Sequence, residues 1–202
     1  MPIDFTHKPC YSVRVSNKGN TLKLRNLALT AIVAGTQLIT GAQPVSANTG
    51  TFAEHKQLWE AISEVGISRS INHPQVCNGD RAGVYVSAIK AIVICQDNMV
   101  KPLQEVTWTN NDLDTLRHEA QHMIQDCVAG GIGNNRLENV FEGEDLRAFL
   151  NNTLDERQIE FIIDAYSDKD DDTILLELEA FAVADTISPT RLADTLLKYC
   201  MS

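Results

Sequence analysis

The sequence predicts an α+β domain, from two short β-branched runs, 83–87 and 91–95, followed by a succession of segments with helical periodicity. The hydrophobic fraction is 44% and no internal repeat interrupts residues 48–202, a length within the usual range of one domain able to bury a core. A first helix is expected over 51–65, with Phe52, Leu58, Trp59 and Ile62 on its apolar side. The two β-runs are separated by a short turn and read as a hairpin or small antiparallel sheet. Next comes a helix entered through the capping residues of Trp108–Asp112, carrying Leu113, Leu116, Ala120, Met123, Ile124 and Cys127 at helical spacing, and stopped by Gly130-Gly131. Helical patterns follow over 137–150, 155–166 and 173–185. Ser188-Pro189 opens a last helix as N-cap and first-turn proline.

The helix entered through Trp108–Asp112 carries the chemistry. His118-Glu119-Ala120-Gln121-His122 is a His-Glu-x-x-His sequence, and residues four apart share one helix face, so both imidazoles are able to reach one Zn²⁺. Glu119, beside the metal but not bound to it, is suited to take a proton from metal-activated water and return it to a leaving amine. The apolar stripe should bury one side of this helix and leave the histidines at its edge. No histidine follows His122, and Gln125 and Val128 stand where a metzincin has Gly and His, so the third ligand is expected to be a carboxylate. The best candidate segment is the hydrophobic helix over 173–185, which carries two glutamates, Glu177 and Glu179.

On these residues, over about 83–187, the chain resembles the gluzincin group of zinc metallopeptidases, in which a His-Glu-x-x-His helix is followed by a glutamate in a Glu-x-x-Ala or Glu-x-x-Ser context. Glu177 with Ala180 matches that context and is preferred; Glu179 with Ala182 fits the same short pattern and is the alternative. The resemblance implies a zincin-like domain with one Zn²⁺ per chain on His118, His122 and Glu177, Glu119 as general base, and a peptide or protein substrate. It also implies that the strand before the metal helix, here Ala91–Cys95, offers an open edge to an extended peptide. Many members place Asp directly after the small residue to support a histidine ligand; this chain has Phe181 there. Tyr85, Tyr166, Tyr199 and Arg117 are candidate oxyanion donors. His55 and His73 precede the motif and read as surface or loop histidines.

A second metal reading uses Asp168, Asp170 and Asp172 with Glu179 as positions 1, 3, 5 and 12 of a Ca²⁺ loop, but Thr173 occupies the position that requires Gly. The acidic run otherwise reads as a helix start capped by Asp171 or Asp172.

Lys23 and Arg25 precede the apolar Leu27–Gly35, and Val45-Ser46-Ala47 presents small residues at cleavage positions, so residues 1–47 read as a leader for export. Residues 48–202 then form the mature domain, periplasmic or extracellular, with no stable membrane insertion. Cys10 falls in the leader. The remaining Cys77, Cys95, Cys127 and Cys200 suit two disulfides, expected as Cys77–Cys95 and Cys127–Cys200, with four reduced buried thiols as the alternative. Without the leader the chain keeps 12 basic and 26 acidic residues, a formal net charge of -14. That surface disfavours nucleic acid. Two non-enzymatic readings stay beside the hydrolase: an exported binding module with a structural zinc site, and a calcium-stabilised extracellular domain.

Overall fold

The computed structural model describes residues 51–100 and 105–202, together with the backbone of Cys10–Val13. Apart from those four residues, the expected leader lies outside the described residues. The elements are β1 (Cys10–Val13), α1 (Phe52–Glu64), β2 (Ser68–Ile71), β3 (Arg81–Val86), β4 (Ala91–Ile94), α2 (Asn110–Val128), α3 (Gly143–Thr153), α4 (Glu156–Ala165), α5 (Asp171–Thr186) and α6 (Pro189–Cys200). The domain is therefore α+β, as its pattern predicts.

The sheet order is β1-β3-β4-β2. The β3–β4 hairpin is antiparallel, with Val84 opposite Val93, and β1 runs antiparallel along the other side of β3, with Cys10 opposite Tyr85. β2 pairs parallel with β4. Side chains alternate across the sheet. Tyr85, Ile92 and Ile94 face a core shared with Leu58 and Ile62 of α1, Leu116, Ala120, Met123 and Ile124 of α2, and Leu192 and Leu196 of α6. Val84, Val86 and Val93 face the other way, onto Val76 and the Cys77–Cys95 pair. A smaller core joins Leu146 and Leu150 of α3, Ile162 and Tyr166 of α4, and Leu178 and Ala182 of α5.

α2 is the central element. Its N-terminus is fixed reciprocally: the Thr109 hydroxyl accepts from the Asp112 N–H and the Asp112 carboxylate from the Thr109 N–H. Glycine at position 83 brings β3 close against it, since a Cβ there would stand 2.5 Å from Thr115 Cγ2. The helix C-terminus is held to α6 by the Cys127–Cys200 disulfide, and Cys77–Cys95 closes the far face of the sheet. Both expected pairings are present. No described helix is long and apolar enough to cross a membrane.

Several expectations are corrected. The sheet is mixed, because Ser68–Ile71, too polar to read as a strand, pairs parallel with β4. β4 is consequently an inner strand, and Ala91–Cys95 offers no open edge. α2 is not half-exposed: from Leu113 to Cys127 only Asp114 escapes burial, because α5, α6 and the sheet enclose it. Residues 137–142 are not helical; the N–H groups of Val140 and Phe141 bind the Glu179 carboxylate instead of helical carbonyls. His55 is fully buried on α1, where its Nδ1 meets the Thr51 carbonyl oxygen at 3.0 Å and its Nε2 meets Arg117 Nη1 at 2.6 Å.

Candidate metal centre

Two helices build the centre. α2 presents His118 and His122 one turn apart, and α5, packed along it, brings Glu177 between them. The His118 and His122 Nε2 atoms are 3.1 Å apart, and Glu177 Oε2 lies 3.2 Å from the first and 3.5 Å from the second. Donors bound tetrahedrally at about 2.0–2.1 Å to one Zn²⁺ stand roughly 3.3–3.4 Å from one another. The observed triangle has that size. Two imidazoles and a carboxylate are also the donor set of a three-ligand zinc site, and Glu177 Oε2, buried, has no conventional hydrogen-bond partner among the described residues. The trio fits the ion on both counts.

Glu119 is on the same helix, fully buried, with Oε2 accepting the Tyr85 N–H at 2.7 Å. Its Oε1 has no partner among the described residues. The Tyr85 N–H points away from β4 because Cys95 N–H donates to Ala82 O, so Ala82, Val84 and Val86 turn their backbone groups to β4 and Gly83 and Tyr85 turn theirs away. Glu119 therefore hangs on the side of β3 that β1 lines.

The protein's own charges set the protonation states. Burial pulls the His122 imidazolium down, but the charge and close contact of Glu177, with Glu119 nearby, outweigh it and raise the group to about 9. Burial would raise Glu177; the His122 charge and the contacts with both histidines bring it down to about 2. Burial lowers His118. Burial raises Glu119 to about 8 against the opposing charge of His122.

Zinc must displace the His122 proton, while Glu177 and His118 already lack theirs at neutral pH. Apparent zinc affinity is therefore expected to rise about tenfold per pH unit from pH 6 towards 9 and then level off. Calorimetry in buffers of different ionisation enthalpy should register about one proton released per Zn²⁺ at pH 7. A pH-independent affinity would show that His122 is not held as an imidazolium.

Glu179, the alternative ligand, is placed otherwise. It is fully buried but turned to the 139–141 segment, accepting from Asn139 Nδ2 (3.1 Å), Val140 N (3.0 Å), Phe141 N (2.9 Å) and Gln125 Nε2 (2.8 Å). Phe181 packs its ring edge-on against His118 at a centroid distance of 4.5 Å, and His118 Nδ1 is buried without a partner among the described residues. The calcium loop is not formed: Asp170, not Asp171 or Asp172, caps α5, and residues 171–179 are already helical.

Of the candidate oxyanion donors, Arg117 is committed to Ala184 O, His55 and Asp114, and the Tyr85 hydroxyl donates to Asp126 at 2.6 Å. Tyr166 is buried behind Phe181, and Tyr199 is partly exposed on α6. His73 lies in the turn before Cys77 and is not in the trio. Sequence reasoning missed Gln125, whose amide lies 2.7 Å from His122 Nδ1 and 2.8 Å from Glu179 Oε2 and whose only signal was a polar residue one turn beyond His122.

These features define a two-helix His₂Glu candidate metal centre with an adjacent non-ligand glutamate. The chain belongs to the family described as Domain of unknown function (DUF8637), whose model matches residues 45–201 and so takes in α1 to α6 and leaves out Cys10–Val13. No curated protein matches the chain significantly, and no solved structure does.

Proposed function

We propose that this protein is an exported zinc metallopeptidase. The observation that carries the reading is Glu119: a fourth buried acid-base group, beside the three donors and bonded to the strand backbone, for which a structural zinc site has no use. Bound to His118, His122 and Glu177, zinc supplies Lewis acidity that lowers the pKa of water and polarises a carbonyl. Glu119 takes the proton from water as it attacks and returns it to the leaving amine. Its Oε1, without a partner among the described residues, is the oxygen suited to do so, while the Tyr85 N–H holds Oε2.

Cleavage after Ala47 would remove β1 and leave β3 as the sheet edge beside Glu119. An extended peptide would then add to β3 rather than to β4. Mass analysis of protein from its native host should show a new N-terminus near Asn48 and a mass four protons below the fully reduced value. An intact Met1 with Cys77, Cys95, Cys127 and Cys200 all reduced would overturn export.

A second reading, a binding module with structural zinc, is favoured by enclosure: His118, Glu119, His122 and Glu177 are each at most 2% exposed. Zinc-loaded mature protein assayed on a broad panel of unfolded proteins and peptides, with and without chelator, separates the two. Chelator-sensitive cleavage restored by Zn²⁺ supports the peptidase; fully loaded, inactive protein supports the module.

A further inference from the structure

We infer that Gln125, clamped by Glu179, is the positioning residue that fixes His122 as an Nε2 ligand; the inference rests on the reading of the trio as a metal centre. The argument turns on which end of the Gln125 amide is which. One end lies 3.0 Å from the Leu176 carbonyl oxygen and 2.8 Å from Glu179 Oε2. Both neighbours accept, so that end is the NH₂ group. The opposite end is therefore the carbonyl oxygen, and it lies 2.7 Å from His122 Nδ1. An acceptor there requires Nδ1 to keep its proton, so Nε2 is the ring nitrogen left to bind a metal. Nε2 is the atom that faces His118 Nε2 and Glu177.

Glu179 sets this orientation because it is surrounded by donors: the Gln125 NH₂, the Asn139 amide and the N–H groups of Val140 and Phe141. Reversing the Gln125 amide would place its oxygen against both Glu179 and the Leu176 carbonyl, which forbids the reversal. The relay thus runs from the 139–141 segment through Glu179 and Gln125 to the imidazole. Among the described residues His118 Nδ1 has no such partner, and its ring is packed edge-on against Phe181. The two histidine ligands are held by different forces, and His122 is the one whose orientation a polar substitution can release.

The test is zinc affinity, by chelator competition, of wild type, Gln125→Met and Glu179→Gln, together with ¹¹³Cd-loaded, ¹⁵N-histidine-labelled protein observed by NMR. Gln125→Met keeps volume and removes both hydrogen-bonding ends. The expected result is folded protein with zinc binding weakened by about 10–100-fold. Wild-type cadmium should couple to Nε2 of His122, with a slowly exchanging Nδ1–H that Gln125→Met loses. Glu179→Gln should weaken zinc in the same direction, and it carries the test if Gln125→Met fails to fold. Affinity within twofold of wild type in folded Gln125→Met, or cadmium coupled to Nδ1 of wild-type His122, overturns the relay while leaving the metal centre standing. Wild type that binds neither metal overturns both. If neither variant folds, the wild-type coupling pattern alone decides.

Discussion

Replacing Glu119 with Gln is expected to lower peptide hydrolysis by a factor of about 10² or more while one Zn²⁺ per chain stays bound. The substitution preserves side-chain size, and the Gln carbonyl oxygen can still accept the Tyr85 N–H that Glu119 Oε2 accepts at 2.7 Å. It removes one thing, the capacity to take and return a proton at Oε1, the oxygen without a partner among the described residues. Burial also favours the neutral amide, because a carboxylate here is costly enough that Glu119 is raised to about 8. The variant should therefore unfold no more readily than wild type. Zinc content by elemental analysis, thermal unfolding and single-turnover hydrolysis measured side by side check this. Equal activity in Glu119→Gln would leave a peptidase with another base; a zinc-loaded wild type inactive on every substrate would sink the enzymatic reading.

The motif helix was legible because its information is local. A cap at Thr109, an apolar repeat and a double glycine delimit α2 to within a residue or two, and the i, i+4 spacing alone puts two imidazoles on one face. The disulfides were legible because two pairs of cysteines leave few combinations. What the sequence hid was long-range. Ser68–Ile71 is a strand only because β4 offers it a partner, and Leu137–Glu142 is not a helix only because Glu179, some 40 positions on, binds its backbone. Polar residues of α2 that suggested a solvated face are instead matched one by one: Arg117 with Ala184 O and His55, Gln125 with Glu179, Asp126 with Tyr85. Buried polar groups paired across elements leave no periodic trace, so amphipathicity understated how deeply the helix lies. The choice between Glu177 and Glu179 failed to resolve for a related reason. Two residues apart on α5, both are buried, and only the neighbours of each carboxylate tell ligand from clamp.

Those neighbours give the last prediction, on the ligand set. His118→Ala together with His122→Ala should abolish stoichiometric zinc, since two of three donors are removed and Glu177 alone cannot hold the ion. Glu177→Gln should weaken zinc by far more than Glu179→Gln, for which an outer-partner loss of about 10–100-fold is expected. The reason is positional: Glu177 Oε2 stands 3.2 and 3.5 Å from the two ligating nitrogens, whereas both Glu179 oxygens are occupied by Gln125 and the 139–141 segment. The two variants should also differ without metal. Glu177→Gln removes the charge that raises His122, so its imidazole should titrate well below about 9, where burial alone would take it. Glu179→Gln turns an amide NH₂ towards backbone N–H groups and should loosen the 139–141 segment, read as faster amide exchange at Val140 and Phe141. Equal zinc loss in both variants with unchanged exchange would mean that Glu179 coordinates, and full retention of zinc in the double histidine variant would place the metal elsewhere in the chain.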